Sequence, residues 1–223
     1  MKLAKKEFKR LLEQGDLTMS LIGMSSIGKT HWSQKLRSFD FKHISCDDLI
    51  ELKLKSELKR RGWAGIEDVS RWMGQPYDKR FLLNQKAYLR FEKQVMKEIL
   101  ERLVDKEKAN IVIDTTGSIV HTSHEICLDL KNNSLIVYIE ADESIKEQMF
   151  AWYIEEPKPV VWENVFQTRD KETNQEALER CYPKLLNMRG ALYTKYADII
   201  LPRKFLEKDM SAKEFISQIE QLL

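Results

Sequence analysis

Short apolar runs alternate with longer stretches whose apolar residues recur at helical spacing. The runs are Leu17-Thr18-Met19-Ser20-Leu21-Ile22, Phe41-Lys42-His43-Ile44-Ser45, Ala109-Asn110-Ile111-Val112-Ile113, Ser134-Leu135-Ile136-Val137-Tyr138-Ile139 and Ala197-Asp198-Ile199-Ile200-Leu201. Such runs predict strands, and the nearly continuous ones predict strands buried on both faces. Residues 2–14 predict a helix with Phe8, Leu11 and Leu12 on one side, ended by Gly15-Asp16. This extra N-terminal helix is expected to pack on the sheet edge. A short helix is expected over 30–36, with Trp32 and Leu36 one turn apart. Asp47-Asp48 is expected to cap a helix carrying Leu49, Ile50, Leu52 and Leu54. Residues 66–74 predict a short amphipathic helix closed by Gly74. Residues 80–104 predict a long one, with Leu82, Leu83, Ala87, Phe91, Val95, Ile99 and Leu103 at helical spacing. Further helices are expected over 122–131, from Asp142 through Tyr153, over 175–193, and from the capping box Ser211-x-x-Glu214 onward. Five short strands alternating with helices predict an α/β, doubly wound parallel sheet.

Composition narrows the class. A chain of 223 residues predicts one domain, and 43% hydrophobic residues suffice for a full core. Charged residues make up 32%, yet the net charge is only +2, which argues against a nucleic-acid or anionic-membrane binder. No apolar run is long enough to span a bilayer. Met1-Lys2-Leu3-Ala4-Lys5-Lys6 leads into charged residues rather than an apolar signal region, so a cytoplasmic protein is expected. Cys46, Cys127 and Cys181 are scattered and read as reduced thiols.

The chemistry centres on Gly23-Met24-Ser25-Ser26-Ile27-Gly28-Lys29-Thr30, which fits G-x-x-x-x-G-K-[ST] between a strand and a helix. The glycines permit backbone angles that a side chain forbids, so the loop can turn its N–H groups onto a phosphate. The following helix, which includes His31, adds its positive dipole end. Lys29 supplies a point charge for β/γ-phosphates, and the Thr30 hydroxyl can ligate Mg²⁺. In a parallel sheet, ligands gather at the carboxyl ends of strands. Asp47 and Asp48 follow the second strand, and a carboxylate there can orient or deprotonate an acceptor hydroxyl. Asp114 follows the third strand, where an acid can hold Mg²⁺ or water. Thr115-Thr116-Gly117-Ser118 is a small-residue turn that lets a substrate approach. Glu156-Pro157-Lys158-Pro159-Val160-Val161-Trp162 reads as a hinge, with residues 150–172 as a lid. Lys158, or secondarily Arg169, is the lid cation. His121 and His124 show no third metal ligand. Trp63, Trp72, Trp152 and Trp162 are candidates for a pocket wall, with Trp72 on an apolar stripe.

These pieces, in this order, resemble the shikimate kinase family within the phosphate-loop fold of nucleoside monophosphate kinases. The resemblance runs over residues 17–222. It implies a three-layer P-loop NTPase fold, a five-stranded parallel sheet with helices on both faces. Ser45-Cys46-Asp47-Asp48-Leu49-Ile50-Glu51 places Asp47 on the family's substrate-binding aspartate and Ser45 on its metal-associated one. Tyr88-Leu89-Arg90-Phe91-Glu92 is similar to the Phe-Arg-x-x-Glu helix, which makes Arg90 the holder of a substrate carboxylate and Arg80 the alternative. Thr115-Thr116-Gly117-Ser118 stands where the family has Thr-Gly-Gly-Gly, keeping Gly117. Lys158-Pro159-Val160-Val161 is similar to the lid motif Arg-Pro-Leu-Leu. Arg189-Gly190-Ala191-Leu192-Tyr193-Thr194-Lys195-Tyr196-Ala197-Asp198 matches Arg-x-x-Leu-Tyr-x-x-x-Ala-Asp, with Arg189 on a second carboxylate arginine.

The resemblance implies an ATP- and Mg²⁺-dependent kinase for a small hydroxyl acceptor, with an acidic group held by Arg90 and Arg189. A monomer or homodimer is expected, without nucleic-acid or membrane partners. The departures fall on the acceptor side and leave two alternatives open: a kinase for a sugar acid or nucleoside, and a nucleotide-binding regulatory module without phosphotransfer.

Overall fold

The computed structural model describes residues 3–104, 107–156 and 158–223. Lys2, expected in the first helix, and Pro157, expected with Pro159 to interrupt the helix that runs through Tyr153, lie outside the described residues. The strands are β1 (Thr18–Ile22), β2 (Phe41–Ser45), β3 (Asn110–Asp114), β4 (Leu135–Glu140) and β5 (Ile199–Pro202). They form a parallel sheet in the order β2-β3-β1-β4-β5. Each parallel connection must cross over the sheet, and helices carry those crossings. Strands β1 and β3 are buried at every residue, which is why three of the five residues in each are apolar and the rest are small or hydrogen-bonding.

The helices are α1 (Lys5–Glu13), α2 (Lys29–Leu36), α3 (Cys46–Lys59), α4 (Ile66–Met73), α5 (Phe81–Val104), α6 (His124–Asn133), α7 (Glu143–Glu155), α8 (Asn174–Tyr196) and α9 (Ala212–Gln221). Helix α1 docks through the fully buried Phe8. Asn110 fixes it from the start of β3, accepting from the Leu17 amide at 3.0 Å and donating to the Leu12 carbonyl at 3.0 Å. Helices α2 and α9 pack with Trp32 stacked on Phe215, ring centroids 4.7 Å apart. Among the described residues no helix is long and apolar enough to cross a membrane. The three cysteines are free and buried.

Several expected boundaries move. Ser45, not Asp47 or Asp48, caps α3: its hydroxyl accepts from the Asp48 amide at 3.2 Å, which leaves both carboxylates of the first turn uncommitted to the cap. Ser123 caps the next helix, so α6 begins at His124 rather than at residue 122. Leu52, Leu82 and Leu83 are exposed. The buried stripe of α5 instead runs through Phe81, Gln85, Tyr88, Glu92, Val95, Met96 and Ile99.

The carboxyl ends of β1, β2 and β3 lie level. Leu21 pairs with Asp114 and Ser45 pairs with the same Asp114. The loop after β1, the start of α3 and the turn after β3 therefore share one edge of the sheet.

Candidate active site

The loop at residues 23–28 is shaped by its backbone. Gly23 has φ 145°, and a Cβ there would lie 2.7 Å from the Ile139 carbonyl oxygen of β4. Only glycine lets β1 leave the sheet so close to its neighbour. Gly28 caps α2 in the left-handed region at φ 107°. Met24 and Ile27 are buried under the loop, while Ser25, Ser26, Gly28, Lys29 and Thr30 line a crevice of about 380 Å³. The buried Lys29 ammonium donates to the carbonyls of Gly23 at 3.0 Å and Met24 at 2.9 Å. Burial lowers its pKa, against the attraction of Asp114 and Asp47.

The same crevice is lined by Ser45, Asp47, Asp48, Ile66, Tyr88, Gly117, Lys158 and Pro159. Tyr88 donates to the Asp47 carboxylate at 3.4 Å. Removal from water pushes Asp47 up to about 6; Lys29 opposes the rise, and the Asp114 and Asp48 charges add to it. Asp114 sits behind the crevice, 5% exposed, with His43 Nε2 at 3.7 Å from its carboxylate. The Thr115 hydroxyl donates to the Leu21 carbonyl at 2.8 Å and holds the turn onto β1.

Sequence reading gave Glu92 no role. It is fully buried on α5, one turn from Tyr88. The Thr116 hydroxyl donates to one carboxylate oxygen and the Ser118 hydroxyl to the other at 2.9 Å. Desolvation pushes Glu92 up to about 7, with the two hydroxyls opposing. The polar residues that replace the family's glycines at 116 and 118 thus serve a buried carboxyl. A glutamate in phase with Tyr88, Val95 and Ile99 on an otherwise apolar stripe was the available signal.

The arginines expected to hold the acceptor do not line the crevice. Arg90 is exposed, with its guanidinium 5.1 Å from the ring centroid of its neighbour Phe91. It stands two residues from both Tyr88 and Glu92, which on a helix is about 200° around the axis. Arg80 is exposed as well. Arg189 is 3% exposed and already engaged: it donates to the Val161 carbonyl at 2.6 Å and to His121 Nε2 at 3.3 Å.

The lid segment is pinned rather than hinged at its centre. Val160, Val161 and Trp162 are buried. The Gln85 side-chain oxygen accepts from the amides of Trp162 at 2.6 Å and Glu163 at 3.1 Å. Trp162 packs among Tyr153, Phe166 and Tyr182. Lys158, half-buried, reaches the crevice, whereas Arg169 is exposed and outside it. His121 and His124 do not share a face. His121 closes a single turn before α6, and His124 meets the Tyr196 hydroxyl at 2.9 Å.

A second cavity of about 440 Å³ adjoins the first through Ser26 and Gly28. His31, Trp32, Trp152, Arg203, Lys204 and Lys208 line it. Trp72 is core, and Trp63 lies under Arg61 with 5.1 Å from guanidinium to ring centroid.

No family model matches the chain. Among solved structures, a shikimate kinase from Acinetobacter baumannii in complex with shikimate superposes with a TM-score of 0.57 at 19% identity, covering 96% of each chain. Shikimate kinase from Bacteroides thetaiotaomicron gives 0.56 at 16% identity, over 92% of this chain and 97% of that one. The enzyme from Aquifex aeolicus gives 0.53 at 20% identity with the same coverage. The chain therefore has the shikimate kinase-like P-loop fold. A curated protein, non-toxic nonhemagglutinin type D of Clostridium botulinum D phage, is 24% identical over 160 residues, which is 70% of this chain and 13% of that protein's length.

Proposed function

We propose that this protein is a kinase that transfers the terminal phosphoryl group of ATP to a hydroxyl of a small molecule. The observation that carries the reading is the single crevice in which the glycine loop with Lys29, the Asp47 carboxylate and the Lys158 ammonium converge. The loop supplies backbone N–H groups and a buried cation for the phosphates. The adjoining cavity, with Trp152 and Arg203, offers flat surfaces for the nucleoside. Asp47 faces the loop and takes the proton of the attacking hydroxyl as its oxygen bonds to phosphorus and the bond to the leaving diphosphate breaks. Tyr88 fixes the orientation of Asp47. Lys158 offsets charge on the transferring group.

Among the described residues, no group of three or more His, Cys, Asp or Glu side chains can cage a metal. The Thr30 hydroxyl lining the crevice and the buried Asp114 carboxylate behind it are oxygen donors, a set that fits Mg²⁺, which takes few protein ligands and is completed by phosphates and water. Thr30 would hold it directly and Asp114 through water; the ion would neutralise charge on the phosphates. Catalysis then rests on positioning and charge.

An ADP-release assay across hydroxylated acceptors tests the reading. Turnover with at least one acceptor is expected, abolished by Lys29→Ala. Equal ATP binding and turnover in Lys29→Ala and the parent would overturn it.

A further inference from the structure

We propose that the acceptor is a polyol or amino alcohol without a carboxylate: its non-reacting polar groups are hydrogen-bond donors, not anions. This claim rests on the kinase reading above and sharpens it. Among the described residues that line the crevice there is no arginine. Its cations are Lys29, bonded to the carbonyls of Gly23 and Met24 on the phosphate side, and Lys158 on the segment beside Pro159. Arg189, the nearby guanidinium, is buried behind Gly117 rather than on the crevice surface, with Nη2 and Nε donating to the Val161 carbonyl and His121, and Arg90 is exposed on the far side of α5.

The groups around the attack position are of the opposite character. Asp47 and Asp48 line the crevice together with the Ser45 hydroxyl. Asp47 already feels repulsion from Asp48 and Asp114. A substrate carboxylate placed here would add another negative charge beside the Asp47 and Asp48 carboxylates, with no guanidinium lining the crevice to receive it. Hydroxyl or ammonium donors meet the same oxygens favourably. Ile66 adds an apolar wall against which a carbon skeleton can lie.

Matched acceptor pairs that differ only at one carbon test the proposal: glucitol against gluconate, serinol against serine, and shikimate against its hydroxymethyl analogue. Each is titrated by calorimetry into the full chain loaded with Mg²⁺ and a non-hydrolysable ATP analogue, and assayed for ADP release with ATP. The alcohol or amine member of at least one pair is expected to show about tenfold higher affinity or kcat/KM than its acid. Preference for the acids overturns the proposal and leaves the kinase reading standing. Binding of neither member of any pair to nucleotide-loaded protein also overturns it. Failure of the ATP analogue to bind is a separate result that removes the kinase reading itself. As a second arm, Ile66→Arg supplies the missing guanidinium and is expected to shift the acid-to-alcohol ratio by about tenfold toward the acid. The ratio is taken on one variant, so a general loss of activity cancels; an unchanged ratio counts against the proposal.

Discussion

Arg189 donates to the Val161 carbonyl at 2.6 Å, so a guanidinium of α8 holds the segment that covers the crevice. His121 receives its second bond. Burial first, and the Arg189 charge second, push the His121 imidazole down to about 3, which keeps it neutral and able to accept from Arg189 Nε. Arg189→Met would leave a buried carbonyl and a buried imidazole nitrogen without their donor. A loss of about 3 kcal/mol in urea unfolding is expected. Hydrogen exchange at the Trp162 and Glu163 amides should speed up, because the Gln85 bonds that protect them depend on the same placement. Arg189→Lys should recover only part of the loss, since one ammonium cannot reproduce the fork. Unchanged exchange in the Met variant would show that Arg189 does not hold the segment.

Glycines 23 and 190 form a contrasting pair. A Cβ at Gly23 would lie 2.7 Å from the backbone oxygen of Ile139, at a φ of 145°. That oxygen belongs to β4, which is paired to β1 and cannot retreat. Gly23→Ala is expected to cost about 2 kcal/mol or more and to weaken nucleotide binding over tenfold. Gly190 lies inside α8, where a Cβ would meet only the Tyr138 hydroxyl at 3.7 Å. Gly190→Ala should stabilise by about 0.5–1 kcal/mol through helix propensity and a less flexible unfolded chain. Thermal melts of the two variants side by side check both signs.

These relationships divide what the sequence disclosed from what it concealed. A strand buried on both faces must be an apolar run, so β1, β3 and β4 were readable directly. Parallel topology brings every strand's carboxyl end to one edge, so the meeting of Lys29, Asp47 and Gly117 followed from order alone. Helical phase was harder. The apolar positions of α5 include the exposed Leu82 and Leu83, which drew the expected stripe off the true one. Arg90 was placed by likeness to the Phe-Arg-x-x-Glu motif, which does not fix helical phase, and Glu92 stood in that motif without a role. Arg189 was assigned to a substrate because motif spacing fixes position but not engagement. Only the folded chain shows that Val161 and His121 occupy it. Trp162 was read in a hinge because Pro157 and Pro159 flank the segment, whereas its buried amide depends on Gln85, 77 residues earlier.

Glu92 makes stability depend on pH in a direction opposite to an ion-paired carboxylate. Its folded-state pKa, about 7, stands above the ordinary 4.5. Between those values the folded chain keeps a proton that the unfolded chain releases. Stability is therefore highest below the window and falls as pH rises through it. Glu92→Gln removes the titration and keeps an oxygen to accept from Thr116 or Ser118. The variant should melt higher than the parent at about pH 8, with the gap closing toward about pH 5. A constant gap across this range would show that Glu92 does not hold its proton.

Asp47 sets the pH dependence of activity, because a base must be ionised to act. Loss of water raises its carboxyl to about 6; Lys29 pulls it back, Asp114 and Asp48 push it further, and Tyr88 opposes them. With the preferred acceptor, kcat/KM should therefore fall about tenfold per pH unit below about 6. The neighbours predict how that limb moves. Asp48→Asn removes a repelling charge and should shift the limb to lower pH. Tyr88→Phe removes a donor to the carboxylate and should shift it to higher pH. Asp47→Asn should cost about 10²–10⁴ in kcat and abolish the limb. ATP affinity in that variant should change little, because the loop carries the phosphates and Asp47 carries only the acceptor proton. A limb near pH 6 that persists in Asp47→Asn would assign the base to another group, and Glu92 is the nearest candidate with a pKa in that range.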